Sequence, residues 1–324
     1  MSDLRISVVM PTYNGADRVR STIQSALDQT YPAHEIIVID DGSTDATPDL
    51  QSIFGDQIRY VRTQNGGQQR ARNHGVRLST GNWIALLDHD DLWDPGYLRA
   101  VTDIVRAHDV DVTMANCRMR QDSDGTGIVT NDDRFLRHAP IGYWQRVGAD
   151  PADGMSVVHR YDYASYLRFH PSQPSLFTIR RSLYEELGGF DERMRGLGAE
   201  NFEFELRALR KASVGILWEP LATIVRHGTN ASLDGNRMAM DVVDTLEFAL
   251  LHHGLTVEER KIVEAERQLR LPPAVGGAFA LGAFDKALAF QRAYGGRLPA
   301  KTRLKTMIAR LPSALARRIV GVLH

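Results

Sequence analysis

The stretch Glu35-Ile36-Ile37-Val38-Ile39-Asp40, running directly into Asp41-Gly42-Ser43-Thr44-Asp45, decides how this chain folds. Four consecutive branched aliphatic residues leave no polar face, so the run reads as a strand buried on both sides. The acids and glycine that follow make a turn into a helix, with Ser43 or Thr44 as its N-cap. Upstream, residues 6–10 form a second apolar run ended by Pro11, and Val19, Ile23, Ala26 and Leu27 follow at helical spacing. Downstream, residues 59–63 read as strand, 68–78 as helix, 83–87 as strand and 95–107 as helix. Strands alternating with helices at this spacing predict an α/β fold, Rossmann-like, with a mostly parallel sheet flanked by helices.

Beyond Asp111 the alternation weakens. Residues 112–115 read as one more strand. Residues 131–170, rich in Asp, Gly, Pro, His and aromatics, read as irregular surface structure with one helix near 163–169. Regular signals return as a strand at 176–179, a helix at 182–187 ended by Gly188-Gly189, a helix at 201–212 and a strand at 215–226. From Met238 onward the chain reads as helical, with a Pro- and Gly-rich break at 271–277.

At roughly 150 residues per domain, 324 residues allow about two domains. A hydrophobic fraction of 43% and a charged fraction of 24% are those of a soluble protein with a sizeable core. The net charge of -1 argues against a general polyanion binder, so no nucleic-acid partner is expected. The single cysteine, Cys117, excludes an intramolecular disulfide and fits a reducing compartment. Residues 1–5 show no basic-then-apolar leader, which sets the expectation of a cytoplasmic protein. The apolar stretch at 271–284 is too short to span a membrane, which takes about 20 residues. The overall charge hides an asymmetry: residues 286–324 carry nine Lys and Arg and no acid, leaving a balance of -10 on the rest.

In a parallel α/β sheet, ligands sit beyond the carboxyl ends of the strands. The first strand here ends in Pro11-Thr12-Tyr13-Asn14-Gly15, the second in Asp40-Asp41-Gly42-Ser43, the fourth in Asp88-His89-Asp90-Asp91. Five carboxylates at two strand ends repel unless a cation or hydrogen-bond donors offset them. Oxygen ligands of this kind suit Mg²⁺ or Mn²⁺ bridging to phosphates. Taken alone, each element also reads as an ordinary turn or helix cap, His227 as a packed or surface histidine and Cys117 as buried and inert. No Walker or G-x-G-x-x-G loop occurs.

The combination says more than its parts. Residues 6–14 (ISVVMPTYN), Gln29-Thr30-Tyr31, 35–45 (EIIVIDDGSTD), Ala71-Arg72-Asn73-His74-Gly75 and 86–91 (LLDHDD) together resemble the family 2 glycosyltransferases, nucleotide-sugar-dependent enzymes of the GT-A fold. The resemblance resumes at Leu187-Gly188-Gly189-Phe190-Asp191-Glu192 and ends at residues 226–232 (RHGTNAS). It implies a GT-A domain at 1–232, with a nucleotide-binding half at 1–110 and an acceptor half at 111–232, followed by a helical region at 233–324. It places Thr12 and Tyr13 on either side of the base, Asp41 as an acceptor of a hydrogen bond from the base, Arg72 near the nucleotide, and Pro11 and His89 among the residues that bind the nucleotide sugar. Asp88-His89-Asp90 takes the place of the Asp-x-Asp element, with Asp88 on the ribose and Asp90 on the metal, Mn²⁺ or Mg²⁺; Asp91 and His227 are its further candidate ligands. The implied reaction moves a sugar, expected from a UDP-sugar, to the hydroxyl of a carbohydrate or lipid-linked acceptor with inversion, in cell-surface polysaccharide or glycolipid synthesis.

One departure stands out. The family's usual Glu-Asp at a helix start is here Glu200-Asn201, and an amide cannot take a proton. Glu200 or Glu203 takes over as base, or the stereochemical course differs, or the protein binds a nucleotide sugar with little transfer. A sugar-phosphate nucleotidyltransferase is a further alternative, but its Gly-rich basic loop after the first strand is missing. Finally, Leu304, Ile308, Leu311, Leu315, Ile319 and Leu323 step by three or four among basic residues, with Pro312 expected to break the helix. That pattern fits a peripheral membrane contact through 301–324 or a helix packed on the acidic body. The Asn230-Ala231-Ser232 match to a glycosylation acceptor reads as accidental.

Overall fold

The computed structural model describes residues 3–122, 128–130, 133–194, 199–228 and 234–323, without the side chains of 128–130 and 320–323. Residues 196–198, Asn230 to Ser232 and the boundary expected at 232 lie outside the described residues. The described chain forms two compact units: residues 3–228 apart from Ala199, and Ala199 with 234–323.

The first unit opens with β1 (Ile6–Thr12), α1 (Ala16–Leu27), β2 (Glu35–Asp40), α2 (Leu50–Phe54), β3 (Arg59–Arg62), α3 (Gln68–Leu78), β4 (Trp83–Leu86), β5 (Leu92–Trp93), α4 (Tyr97–Ala107) and β6 (Val112–Gln121). It continues with β7 (Ile128–Thr130), α5 (Arg134–Arg137), α6 (Tyr143–Val147), β8 (Met155–Val158), α7 (Tyr163–Arg168), β9 (Phe177–Arg180), α8 (Arg181–Glu186), α9 (Glu200–Leu209) and β10 (Val214–Arg226). One sheet runs β3-β2-β1-β4-β9-β6-β10-β5, with β7 on β6 and β8 on β10. The first four strands are parallel, as are β6 and β10. β9 lies antiparallel between β4 and β6, so the sheet is mixed beyond β4. The strand order reverses at β1 and β4, which creates the crevice where such sheets bind ligands.

Every residue of β1 is buried, as the unbroken apolar run predicts. Ile6, Val8 and Met10 face one core with Val19, Ile23, Leu98 and Val101 of α1 and α4. On the other side, Ile37 and Ile39 of β2 pack with Ala71 of α3. Gly75 lets α3 come this close, because a Cβ there would sit 2.5 Å from Val9 Cγ1. Burying side chains of this size contributes about 1.5–3 kcal/mol each.

Two expectations are corrected here. Residues 133–170 are not irregular surface structure: besides the expected helix near 163–169, which is α7, they hold α5, α6 and β8. Phe135, Tyr143, Trp144, Tyr161 and Tyr166 are buried in the core. Trp144 meets Phe135 at 5.0 Å and Trp218 of β10 at 4.8 Å, edge-on to the latter, and the indole N–H groups of Trp144 and Trp218 are bonded to the Phe135 carbonyl and Ser156 Oγ. Ser43 and Thr44 cap no helix, since α2 starts only at Leu50, after a turn at Thr47–Asp49. Cys117 is buried, and that burial pushes its thiol up to about 12.

The second unit is α10 (Gly235–His252), α11 (Val257–Ala280), α12 (Phe284–Ala293), α13 (Ala300–Ala309) and α14 (Ser313–Leu323). The break expected at 271–277 is absent: α11 runs through Pro272 and Pro273. A proline inside a helix costs about 3 kcal/mol, and here burial offsets it. Leu271, Ala274, Val275 and Ala278 pack with Met240, Val243, Ala287 and Phe290. Gly277 completes the packing, since a Cβ there would lie 2.4 Å from the Asn236 carbonyl oxygen. Pro312 does separate α13 from α14. No described helix is long and apolar enough to cross a membrane.

Glu205 of α9 is buried and accepts the Tyr166 hydroxyl proton in a short hydrogen bond. Burial pushes its carboxyl up to about 8, the Tyr166 bond opposing only in part. Between the ordinary glutamate range and that value the folded chain keeps a proton the unfolded chain has lost. Stability therefore falls as pH rises through this window, by up to about 1.4 kcal/mol per pH unit for one proton. Melting curves from pH 5 to 8 should show this decline, and Glu205→Gln should flatten it. An unchanged slope in the variant would place the proton elsewhere.

Candidate active site

Three strand ends meet at the crevice. At the end of β1, Pro11 and Thr12 are buried, and Tyr13 is 48% exposed. Thr12 Oγ1 is buried without a hydrogen-bond partner among the described residues. Asn14 takes φ 50°, and its side-chain oxygen accepts the Thr44 N–H (2.8 Å), while its own N–H donates to Ser43 Oγ (2.9 Å). These bonds tie the ends of β1 and β2 together, and they employ the two residues that the sequence offered as caps.

Asp41 is buried, and its two oxygens accept the N–H groups of Gly66 (2.8 Å) and Gly67 (2.7 Å). Gly67, at φ 93°, opens α3. A carboxylate offers about four lone-pair positions, so Asp41 fixes this loop and retains acceptor capacity.

Arg72 of α3 is 1% exposed. Its Nη2 donates to Asp88 Oδ1 (2.7 Å) and its Nη1 to Glu200 Oε1 (3.1 Å), while its guanidinium lies 5.1 Å from the Phe190 ring centre. Burial alone would lower its pKa, but Asp88 and Glu200 outweigh that and hold it above the ordinary arginine value. Arg72 Nε has no partner among the described residues.

The four residues after β4 separate. Asp88 faces Arg72. The His89 ring lies against Gly15, where a Cβ would sit 2.6 Å from its Cδ2. Asp90 Oδ2 is 2.8 Å from His227 Nε2, at the end of β10. Asp91 turns inward: its Oδ2 accepts the Ser175 hydroxyl (2.5 Å) and its Oδ1 the Val225 N–H (3.1 Å). Burial, with the charges of Asp90 and Asp88 added, pushes the Asp91 carboxyl well above the usual aspartate range. Asp91 is thereby a structural anchor, and the Asp90–His227 pair stands apart from it.

At the start of α9, Glu200 is buried, Asn201 is half-buried and Glu203 is buried. Both Glu203 oxygens are held by Arg207 (2.6 and 2.8 Å), whose other N–H groups donate to the Leu187 and Gly189 carbonyls. Glu200 Oε1 accepts from Arg72 and, in a short bond, from Gln68, while Oε2 is buried without a partner among the described residues. Burial raises the Glu200 pKa despite the opposing Arg72 charge. The first turn of a helix favours such a negative charge.

Gln68, Ser175 and the Gly66–Gly67 loop complete the arrangement, and the sequence reading missed them. The paired glycines directly before a helix were the available signal for the loop. Ser175 offered none, because its role depends on β9 being inserted beside β4.

The sheet order, with acids gathered at the ends of β2 and β4, is that of a GT-A fold. The chain belongs to Glycosyl transferase family 2, whose model matches residues 7–187. It is 36% identical over 135 residues to an uncharacterized glycosyltransferase of Rickettsia typhi, 41% of this chain and 42% of that protein. It is 31% identical over 126 residues to glycosyltransferase GlyA of Streptococcus pneumoniae, 38% of this chain and 18% of that protein. These matches span less than half of either relative. The fold is similar to that of S. aureus TarS 1–349, solved in complex with UDP: the TM-score is 0.60 at 17% identity, covering 97% of this chain and 87% of that one.

Replacing Arg72 by Met should cost about 3 kcal/mol in urea unfolding, because it strands two carboxylates that share one cation. Arg72→Lys should recover only part, since a point charge cannot bridge both. A loss under about 1 kcal/mol for Arg72→Met would mean the two acids need no bridge.

Proposed function

We propose that this chain transfers a sugar from a UDP-sugar to the hydroxyl of a carbohydrate or lipid-linked acceptor, with a divalent metal and with inversion. The observation that carries the reading is the Asp88–Arg72–Glu200 bridge. It holds a carboxylate of α9 beside the strand end that carries the Asp-x-Asp element.

Tyr13, Thr12 and Asp41 hold the base in this reading, and Asp88 takes the ribose. Asp90 and His227 offer one oxygen and one nitrogen donor 2.8 Å apart. Among the described residues no three such side chains converge. Asp90 and His227 would hold Mn²⁺, or Mg²⁺ with less ease toward the histidine. When bound, the ion offsets the charge that develops on the leaving diphosphate. Glu200 Oε2 accepts the acceptor's proton as its oxygen bonds the sugar carbon and the bond to the diphosphate breaks. A raised pKa makes Glu200 a better base near neutral pH. Glu203 is committed to Arg207 and Asn201 has no proton-accepting group, so Asn201 orients the acceptor beside Glu200. The cell-surface setting, polysaccharide or glycolipid, follows the family resemblance.

UDP with Mn²⁺ should raise the melting temperature, and chelator or Asp90→Asn should abolish the rise. Glu200→Gln should lower kcat by about 10²–10⁴-fold while leaving UDP affinity within about twofold, as expected for a group acting only in the transition state. The acid limb of the pH–rate profile should lie above the ordinary carboxylate range. Full turnover by Glu200→Gln would remove it as base.

A further inference from the structure

α13 and α14 bury one side and leave the other bare. Thr306, Ala309 and Ala316 are buried, the alanines against Phe279 and Phe284, with Ile308 partly buried in the same cluster. Leu304, Met307, Leu311 and Leu315 are 57, 64, 39 and 47% exposed. Residues 304 and 307 lie about 200° around the helix from 306 and 309, which puts the bare stripe opposite the buried one. Exposed apolar side chains go on past Pro312 with Leu315, and backbone turns close on both sides of the proline, Leu311 N–H to the Ile308 carbonyl (3.0 Å) and Leu315 N–H to the Pro312 carbonyl (2.9 Å).

Charge surrounds this stripe with one sign. Lys286 is bonded to Asp244, and Lys305 lies 5.8 Å from the Phe279 ring centre. Lys301, Arg303, Arg310, Arg317 and Arg318 are exposed, and no ion pair holds any of them among the described residues. No acid occurs anywhere in 286–324. A second copy of the chain would bring the same cations to the same stripe at a twofold contact, and they would repel. A surface that offers hydrocarbon beneath negative charge satisfies both features together.

We propose that residues 301–318 form a docking surface for an anionic phospholipid bilayer. Leu304, Met307, Leu311 and Leu315 enter the headgroup boundary, and the five cations meet lipid phosphates. The proposal rests on residues of the second unit alone and stands whether or not the proposed reaction is right.

The full chain, sedimented with phosphatidylcholine vesicles with and without one third phosphatidylglycerol, tests it. Binding should need the anionic lipid and weaken at high salt. Removing each cation should weaken it about fivefold, the equivalent of about 1 kcal/mol. The combined Leu304→Ser, Met307→Ser, Leu311→Ser and Leu315→Ser variant changes only exposed positions, so its melting temperature should hold while binding falls at least about tenfold. Leu311→Trp emission should shift to the blue on anionic vesicles. The proposal is overturned if the serine variant binds as well as the parent, because charge alone would then suffice. It is equally overturned if the parent ignores vesicles and instead self-associates through this stripe.

Discussion

Arg72 is buried between two carboxylates that come from distant parts of the chain, and the arrangement of the crevice depends on that contact. Asp88 follows β4 and Glu200 opens α9. A buried guanidinium with one partner would be a costly feature; with two it becomes a bridge whose planar fork fixes both. Phe190 lies at one side of the guanidinium, and Gln68 adds a donor to Glu200. The donor-side acid and the candidate base are thereby set by one side chain rather than by two independent loops.

The acids after β4 show how a fold keeps like charges close. Each of the three meets a different answer. Asp88 has the Arg72 cation. Asp90 has the His227 ring, an adjustable partner that can also ligate a metal. Asp91 has no cation; Ser175 and the Val225 N–H hold it, and burial favours its neutral form. Two hydrogen-bond donors thus meet Asp91 where, among the described residues, a cation meets neither of its oxygens. Ser175 also accepts the Asp88 N–H (3.0 Å), which couples the anchor to the first acid of the series.

The parallel half of the sheet was legible because its strands are apolar without interruption and their ends carry turn residues. Legibility stopped where partners come from far away. The aromatics at 135–144 looked like surface because no period marks them, yet they meet Trp218 of β10 and form core. The prolines of α11 argued for a break, and only tertiary burial of Leu271, Val275 and Ala278 overrides them. At the site, the residue types and their strand ends could be read, but their pairings could not. Nothing local in residues 88–91 says which acid faces Arg72, which faces His227 and which turns inward.

The Glu200-Asn201 pair becomes intelligible on these terms. Glu200 already occupies a buried position where its charge is tolerated only because Arg72 and Gln68 reach one of its oxygens. A second carboxylate at 201 would sit next to it in the same helical turn, with Asp88 on the far side of Arg72. It would add a charge one residue from Glu200, whose ionised form burial already disfavours, and raise that pKa further. An amide at 201 removes that repulsion while keeping a polar group at the helix start. In the proposed reaction the proton-accepting role falls to the oxygen that the bridge leaves over, Glu200 Oε2. The Glu200-Asn201 pair thus keeps one buried carboxylate at the start of α9, held at one oxygen by Arg72 and Gln68 and unpartnered at the other among the described residues.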